Sequence, residues 1–334
     1  MTRNAVGRRR LGVGVGAQQL ATDLLGHPAV ARAAVASSAG RLRVVAYHDV
    51  PDVAVFRRHL QYLTEHFRVV CGAEVQHAWS SGGPLPPRAL WLTFDDGDRS
   101  VFERAEPELT AANLSATAFV CPGVIDTEAP LWWHVVRAAA AEGFDAEVDG
   151  DTIAPGDLET RLKRCADSTR REVVARLRER VETAREAPLV GRQATRQQLR
   201  AWVAAGHEVG NHTWDHPCLD RCTPEEQRRQ LTAAHAWLTE ELDLTVTSFA
   251  YPNGNWAQAA EQQLRTLGYR AAVGFDHQLT RPGVDPLRLS RLRLDADAAP
   301  ARTRAVLAGT QPVVMAARDR LLRSRARDPR SLPR

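Results

Sequence analysis

Two short stretches of the 334-residue sequence carry side chains that could do chemistry together. The first, Leu92-Thr93-Phe94-Asp95-Asp96-Gly97, sets two adjacent carboxylates before a glycine. Successive side chains on a strand point to opposite faces, so both acids reach one site only where the strand turns into a loop, a turn that Gly97 permits. Adjacent carboxylates repel, and a cation beside them relieves the repulsion. The plain structural alternative is that Asp96 or Asp98 caps the helix that follows. The second stretch, Asn211-His212-Thr213-Trp214-Asp215-His216, spaces two imidazoles four residues apart, which predicts both on one side of a helical turn. Two histidines and one carboxylate make a ligand set for zinc or a similar divalent ion, with positions left open for water and substrate.

These residues need rigid elements to hold them. From about residue 42 onward, apolar runs of strand length alternate with helical patterns, which predicts βα units and an α/β fold with a parallel sheet or barrel. The predicted strands cover residues 42–47, 89–94, 115–121, 207–211, 247–251 and 270–275. Thr223, Pro224 and Glu226 predict a capped helix start, with the helix running toward Glu241. A second helix is expected from near Asn255 to Gly268, and a third from Arg196 to Ala205 with Gly206 as its stop. Over residues 123–192 the alternation gives way to charged helical patterns, read as a helical insertion within one domain. Its Trp132 and Trp133 could stack on a sugar ring, although packing is the ordinary role for at least one of them.

Composition narrows the class. The chain is 44% hydrophobic, enough for a buried core, and no apolar run reaches the length of a membrane span. Arg8, Arg9 and Arg10 precede a short apolar run, but Gln18, Gln19 and Asp23 interrupt it, so the expectation is a leaderless cytoplasmic protein, with envelope association as the alternative. The net charge of +4 comes from the end of the chain: residues 318–334 hold seven arginines and two aspartates. Nucleic-acid binding would therefore rest on that tail alone. Only Lys163 among the basic residues is a lysine. Five scattered cysteines, Cys71, Cys121, Cys165, Cys218 and Cys222, form no disulfide framework, and the spacing of Cys218 and Cys222 is a weak zinc signal.

Thr93 to Gly97, the His212 and His216 pair, and Phe249-Ala250-Tyr251-Pro252-Asn253-Gly254 resemble, in that order, the first three motifs of the polysaccharide deacetylases. This is carbohydrate esterase family four, also called the NodB-homology domain, and the resemblance runs from Tyr47 and His48 to about Leu294. It implies a distorted (β/α) barrel with its site at the carboxyl ends of the strands. The implied organisation is an N-terminal extension over 1–40, a catalytic domain over 41–300 carrying the insertion, and a C-terminal helix and basic tail over 301–334. The resemblance also implies roles: Asp96, His212 and His216 bind a divalent metal, zinc, and Asp95 is the general base. A backbone N–H in the turn of Tyr251, Pro252, Asn253 and Gly254 would stabilise the oxyanion.

The sequence departs from the family pattern in two places. No histidine occupies the late Leu-x-His position, since the region from Leu289 to Leu294 contains none. His48 resembles the early Tyr-His acid of the poly-N-acetylglucosamine deacetylases and is the expected general acid, with His277 as a substitute and a structural role as the alternative. Ala250 replaces the family's third-motif arginine, and Arg291 could orient Asp95 instead. The implied activity is hydrolysis of N-acetyl groups on a hexosamine-containing polysaccharide, glycan precursor or glycolipid, releasing acetate. The alternatives are an amidohydrolase acting on a small non-carbohydrate amide and a catalytically silent glycan-binding protein.

Overall fold

The computed structural model describes residues 19–310. Ten strands occur among them: β1 (Arg43–Tyr47), β2 (Arg68–Val70), β3 (Ala89–Phe94), β4 (Thr117–Val120), β5 (Ala146–Val148), β6 (Asp151–Ile153), β7 (Glu208–Asn211), β8 (Ser248–Ala250), β9 (Ala271–Val273) and β10 (Leu292–Arg293). Eight form one parallel sheet in the order β10-β1-β3-β4-β7-β8-β9, with β2 alongside the first half of β3. The sheet curls, and its ends meet through Leu289, whose N–H donates to Ala272 O and whose carbonyl accepts from Gly274 N, both at 2.9 Å. The result is the expected distorted (β/α) barrel, closed by a segment rather than by a full strand.

Strand alternation sorts the core. Val44, Trp91, Phe119, Ala250 and Val273 form the cluster that fills the inside of the curl. Val45, Leu92, Phe94, Phe249 and Leu292 belong to a second layer that packs on Phe56, Leu60, Trp202, Leu231 and Leu264 of the surrounding helices. Every residue of β1 and β3 is buried, as a strand covered on both faces requires.

Several expectations shift in detail. The helix capped by Thr223 is α-helical only over Pro224–Ala236 and continues as a wider π-turn over Trp237–Glu241. Thr223 accepts from Glu226 N, while the Glu226 carboxylate turns away to Arg229 instead of completing the capping box. The helix expected from Asn255 starts at Gln258, because Asn255 still closes the preceding turn on Pro252 O. Arg196–Ala204 has a complete capping box between Thr195 and Gln198.

Residues 123–192 hold the helices Trp132–Ala141, Leu158–Leu162 and Asp167–Arg185, but also the antiparallel hairpin β5–β6, which the helical reading missed. Val135, Val136, Leu158, Val173, Leu177 and Val181 give this region a core of its own, joined to the barrel through Cys121 and Cys218. At the opposite end, Arg43 ties the termini of the fold together by donating to Leu307 O and the Ser38 hydroxyl. The N-terminal stretch behind the leaderless expectation and the basic tail lie outside the described residues. No helix among those described is long and apolar enough to cross a membrane.

Candidate metal centre and its cavity

Continuing the inward parity of Trp91 and Thr93, Asp95 points into the barrel at the end of β3. Its Oδ1 accepts from Arg291 NH1 at 2.6 Å, and both side chains are almost fully buried. Arg291 Nε also donates to Gly274 O at 3.0 Å, and the guanidinium lies over the Phe275 ring, which fixes its direction. Burial alone would raise the Asp95 carboxyl, but the charges of Arg291, His212 and His48 and the Arg291 hydrogen bond together outweigh it and hold the group below its ordinary value.

Asp96 would face outward if the strand continued. Its φ of 68°, followed by 70° at Gly97, reverses the chain and brings its carboxylate to the same side as Asp95. Helix capping falls to Asp98, whose Oδ1 accepts from Ser100 N at 2.9 Å.

The two histidines also converge, but not on a helix. Residues 212–216 form a loop in which Thr213 and His216 have φ of 70° and 60°, closed by Thr213 N to Asn211 Oδ1 and His216 N to Thr213 Oγ1. The helical-turn expectation is therefore corrected. The rings still meet, with centroids 4.7 Å apart, because the loop folds back on itself.

Asp96 Oδ1 stands 3.5 Å from His212 Nε2 and 3.4 Å from His216 Nε2. Three ligand atoms from Asp96, His212 and His216 all lie within 4.8 Å of one another. Donors about 2.1 Å from one ion at tetrahedral angles would be about 3.4 Å apart, so the set fits a zinc-sized cation. His212 Nδ1 donates to Ala250 O at 2.7 Å, which leaves Nε2 with its lone pair free. Burial pushes His216 down to about 3, keeping it neutral as a ligand must be. Asp96 Oδ1 is buried with no hydrogen-bond partner among the described residues. For Asp96, burial is outweighed by the neighbouring imidazoles of His212, His216 and His48 together, and the carboxyl stays well below its ordinary range.

The cluster opens into a cavity of about 530 Å³, the size of a ligand cleft. His48 lines it, stacked on Phe275 at 6.0 Å, and burial lowers its affinity for protons while Asp96 and Asp95 oppose that shift. His277 lines it too, with its ring centroid 6.1 Å from that of Phe275. Among the four residues of the expected oxyanion turn, Tyr251 to Gly254, only Asn253 lines the cavity. Tyr251 N donates to Val273 O, Gly254 N donates to Tyr251 O, and Pro252 has no N–H, whereas the Asn253 N–H, at φ 54°, meets no backbone acceptor among the described residues. The Tyr251 ring is buried against Phe249, away from the cavity lining. Gly254 is required by space, since a Cβ there would stand 2.6 Å from Phe275 N.

The far wall belongs to the insertion and was not legible as a site. Trp133, His134, Arg137, Glu159 and Lys163 line the same cavity as the ligand residues Asp96 and His216. Trp133 sets its ring edge to face on His216 with centroids 4.4 Å apart, and Lys163 Nζ pairs with Glu159 at the rim at 2.8 Å. Trp132 is structural: it donates to His216 O at 3.1 Å and lies under Arg170. Only the tryptophan pair offered a signal. All five cysteines are free, and neither Cys218 nor Cys222 joins the ligand set.

A barrel whose strand ends carry this acid pair and histidine loop defines a class, and direct comparison agrees. The family model described as polysaccharide deacetylase matches residues 82–187 and 186–272, which together span more than half of the chain, so the chain belongs to that family. It is 37% identical over 91 residues to the chitooligosaccharide deacetylase of Bradyrhizobium sp. (strain ANU 289), covering 26% of this chain and 41% of that one. It is 27% identical over 73 residues to the poly-beta-1,6-N-acetyl-D-glucosamine N-deacetylase of Staphylococcus aureus, covering 22% and 25%. These alignments span less than half the length of either relative. The fold is shared with the Streptococcus pyogenes deacetylase PplD in complex with acetate, at 18% identity and TM-score 0.55 over 80% of this chain and 98% of that one. IcaB from Ammonifex degensii shares it equally, at 21% identity and TM-score 0.55 over 80% and 97%.

Proposed function

We propose that this protein removes N-acetyl groups from hexosamine units of a polysaccharide or glycan precursor, adding water to the amide and releasing acetate and a free amine. Asp96, His212 and His216 would hold the divalent ion, and the mixed nitrogen and oxygen donor set favours zinc. When bound, such an ion supplies polarisation of the acetyl carbonyl and a more acidic water. The residues of the chain supply the rest. Asp95 Oδ2 has no hydrogen-bond partner among the described residues, so it would be free to take the proton of the attacking water. Arg291 keeps that carboxylate ionised and aimed. The Asn253 N–H, on a residue that lines the cavity, would receive the charge that develops on the acetyl oxygen. His48, on the cavity wall, would return a proton to the departing amine nitrogen.

The observation that carries this reading is the buried Asp95–Arg291 pair beside the ligand triad. A site that only bound metal or sugar would gain nothing from a second, separately oriented carboxylate. The relatives named for chitooligosaccharide and poly-N-acetylglucosamine deacetylation support the same substrate class. The test is acetate release from β-1,4- and β-1,6-linked N-acetylglucosamine oligomers by metal-loaded protein, chelator-treated protein and Asp95→Asn. Release confined to the loaded wild type is expected; equal behaviour of all three would sink the proposal.

A further inference from the structure

We infer that Arg171, on the insertion helix Asp167–Arg185, is a positioning residue for metal binding, because it pins the loop that carries both histidine ligands. The inference rests on the metal reading above.

That loop is held in a conformation its own residues disfavour. Thr213 and His216 both lie in the left-handed region, a rare place for a β-branched threonine. Such backbone persists only where its surroundings over-determine it. The barrel provides part of the restraint: Gln230 Oε1 accepts from Trp214 N at 2.9 Å and Asp215 N at 3.2 Å. The insertion and its entry provide the rest. Gly123 N donates to Trp214 O at 2.8 Å, and Trp132 Nε1 donates to His216 O. Arg171 makes two parallel bonds to Asp215, NH1 to Oδ2 at 2.7 Å and NH2 to Oδ1 at 2.9 Å.

Asp215 sits between the two ligands in sequence, and its carboxylate contacts Arg171 and Gln230. A two-point guanidinium contact fixes the plane of the carboxylate as well as its distance. Arg171 is itself aimed in advance, with Nε on Asp167 at 2.6 Å and NH2 near Glu226 at 3.3 Å. Cutting this contact would let the loop relax before metal arrives. Binding would then have to order it, which weakens affinity.

The test is a zinc competition titration of the full chain against a chromophoric chelator, paired with thermal unfolding of the metal-free protein. Arg171→Ala and Asp215→Ala should each weaken zinc binding by about tenfold, the scale seen for outer partners of metal ligands. The double variant should be no weaker than either single one. Arg178→Ala on the same helix, whose partner is Glu182 one turn along, should bind like wild type. The metal-free unfolding temperature of Arg171→Ala should match that of Arg178→Ala, since a merely structural role would lower it. Unchanged affinity in Arg171→Ala, a matching fall in metal-free stability, or additive losses in the double variant would overturn the role of Arg171 alone. A wild-type chain that takes up no divalent metal would overturn the metal reading and the role of Arg171 with it.

Discussion

The barrel and the insertion contribute to one cavity by opposite routes. On the barrel side, Asp95, Asp96, His212 and Asn253 follow the ends of β3, β7 and β8 in one parallel sheet, so the hydrogen-bond register of that sheet fixes their spacing. On the insertion side, Trp133, His134 and Lys163 come from helices packed around a separate core, and tertiary contact alone sets their distance from the metal cluster. The difference teaches that reactive groups sit where the backbone ladder is least free to move, while the wall that shapes the cleft sits on a unit able to vary independently.

That contrast can be broken or sharpened by experiment. The largest effect is expected from Arg291→Met, which strands the Asp95 carboxylate in a buried site; loss of about 3–5 kcal/mol in urea-unfolding stability is expected, with turnover falling as well. A stable variant with full activity would show that the barrel side tolerates loss of its central ion pair. Leu177→Ala, in the core of the insertion, should cost about 2–5 kcal/mol. Hydrogen exchange should then quicken over residues 123–192 before the strands open; uniform quickening would make the two regions one cooperative unit. His48→Ala should lower turnover by about 100-fold while metal content stays intact. If His134→Ala costs more, the leaving-group proton comes from the insertion side instead.

The smallest effect concerns pH. Burial lowers the proton affinity of His48, His59, His207 and His216, so the unfolded chain binds more protons than the folded one below the ordinary histidine value of 6.5. The stability these groups contribute is complete above that value and is lost as pH falls toward their folded values, about 3 for His216. A lower urea midpoint for metal-free protein at about pH 5 than at about pH 7.5 is expected. The loss should centre on the barrel, because residues 123–192 contain a single histidine, His134.

How much could be read without coordinates follows the same division. Strand β3 coincides with its apolar run because continuous burial on both faces leaves an unbroken sequence signal. Asp95, Asp96, His212 and His216 were legible because chemistry limits residue type at those points. Strands β2 and β10 were not, being three and two residues long and defined by their neighbours. The histidine loop was misread as helical because four-residue spacing says nothing about Thr213 and His216 adopting positive φ. Arg291 was a weak candidate among many arginines, since burial beneath Asp95 leaves no mark on its own sequence. The insertion wall was silent because Arg137, Glu159 and Lys163 look like any solvated helix surface.

Lys163 has a practical consequence. It is the only side-chain amine in the chain, and it lines the cavity beside Asp96 and His216, ion-paired with Glu159. An amine-selective acylating dye, used at mildly alkaline pH where some of the amine is unprotonated, therefore has one side chain to label. Its fluorescence would report directly on what enters the cleft, with no cysteine replaced and no tag introduced.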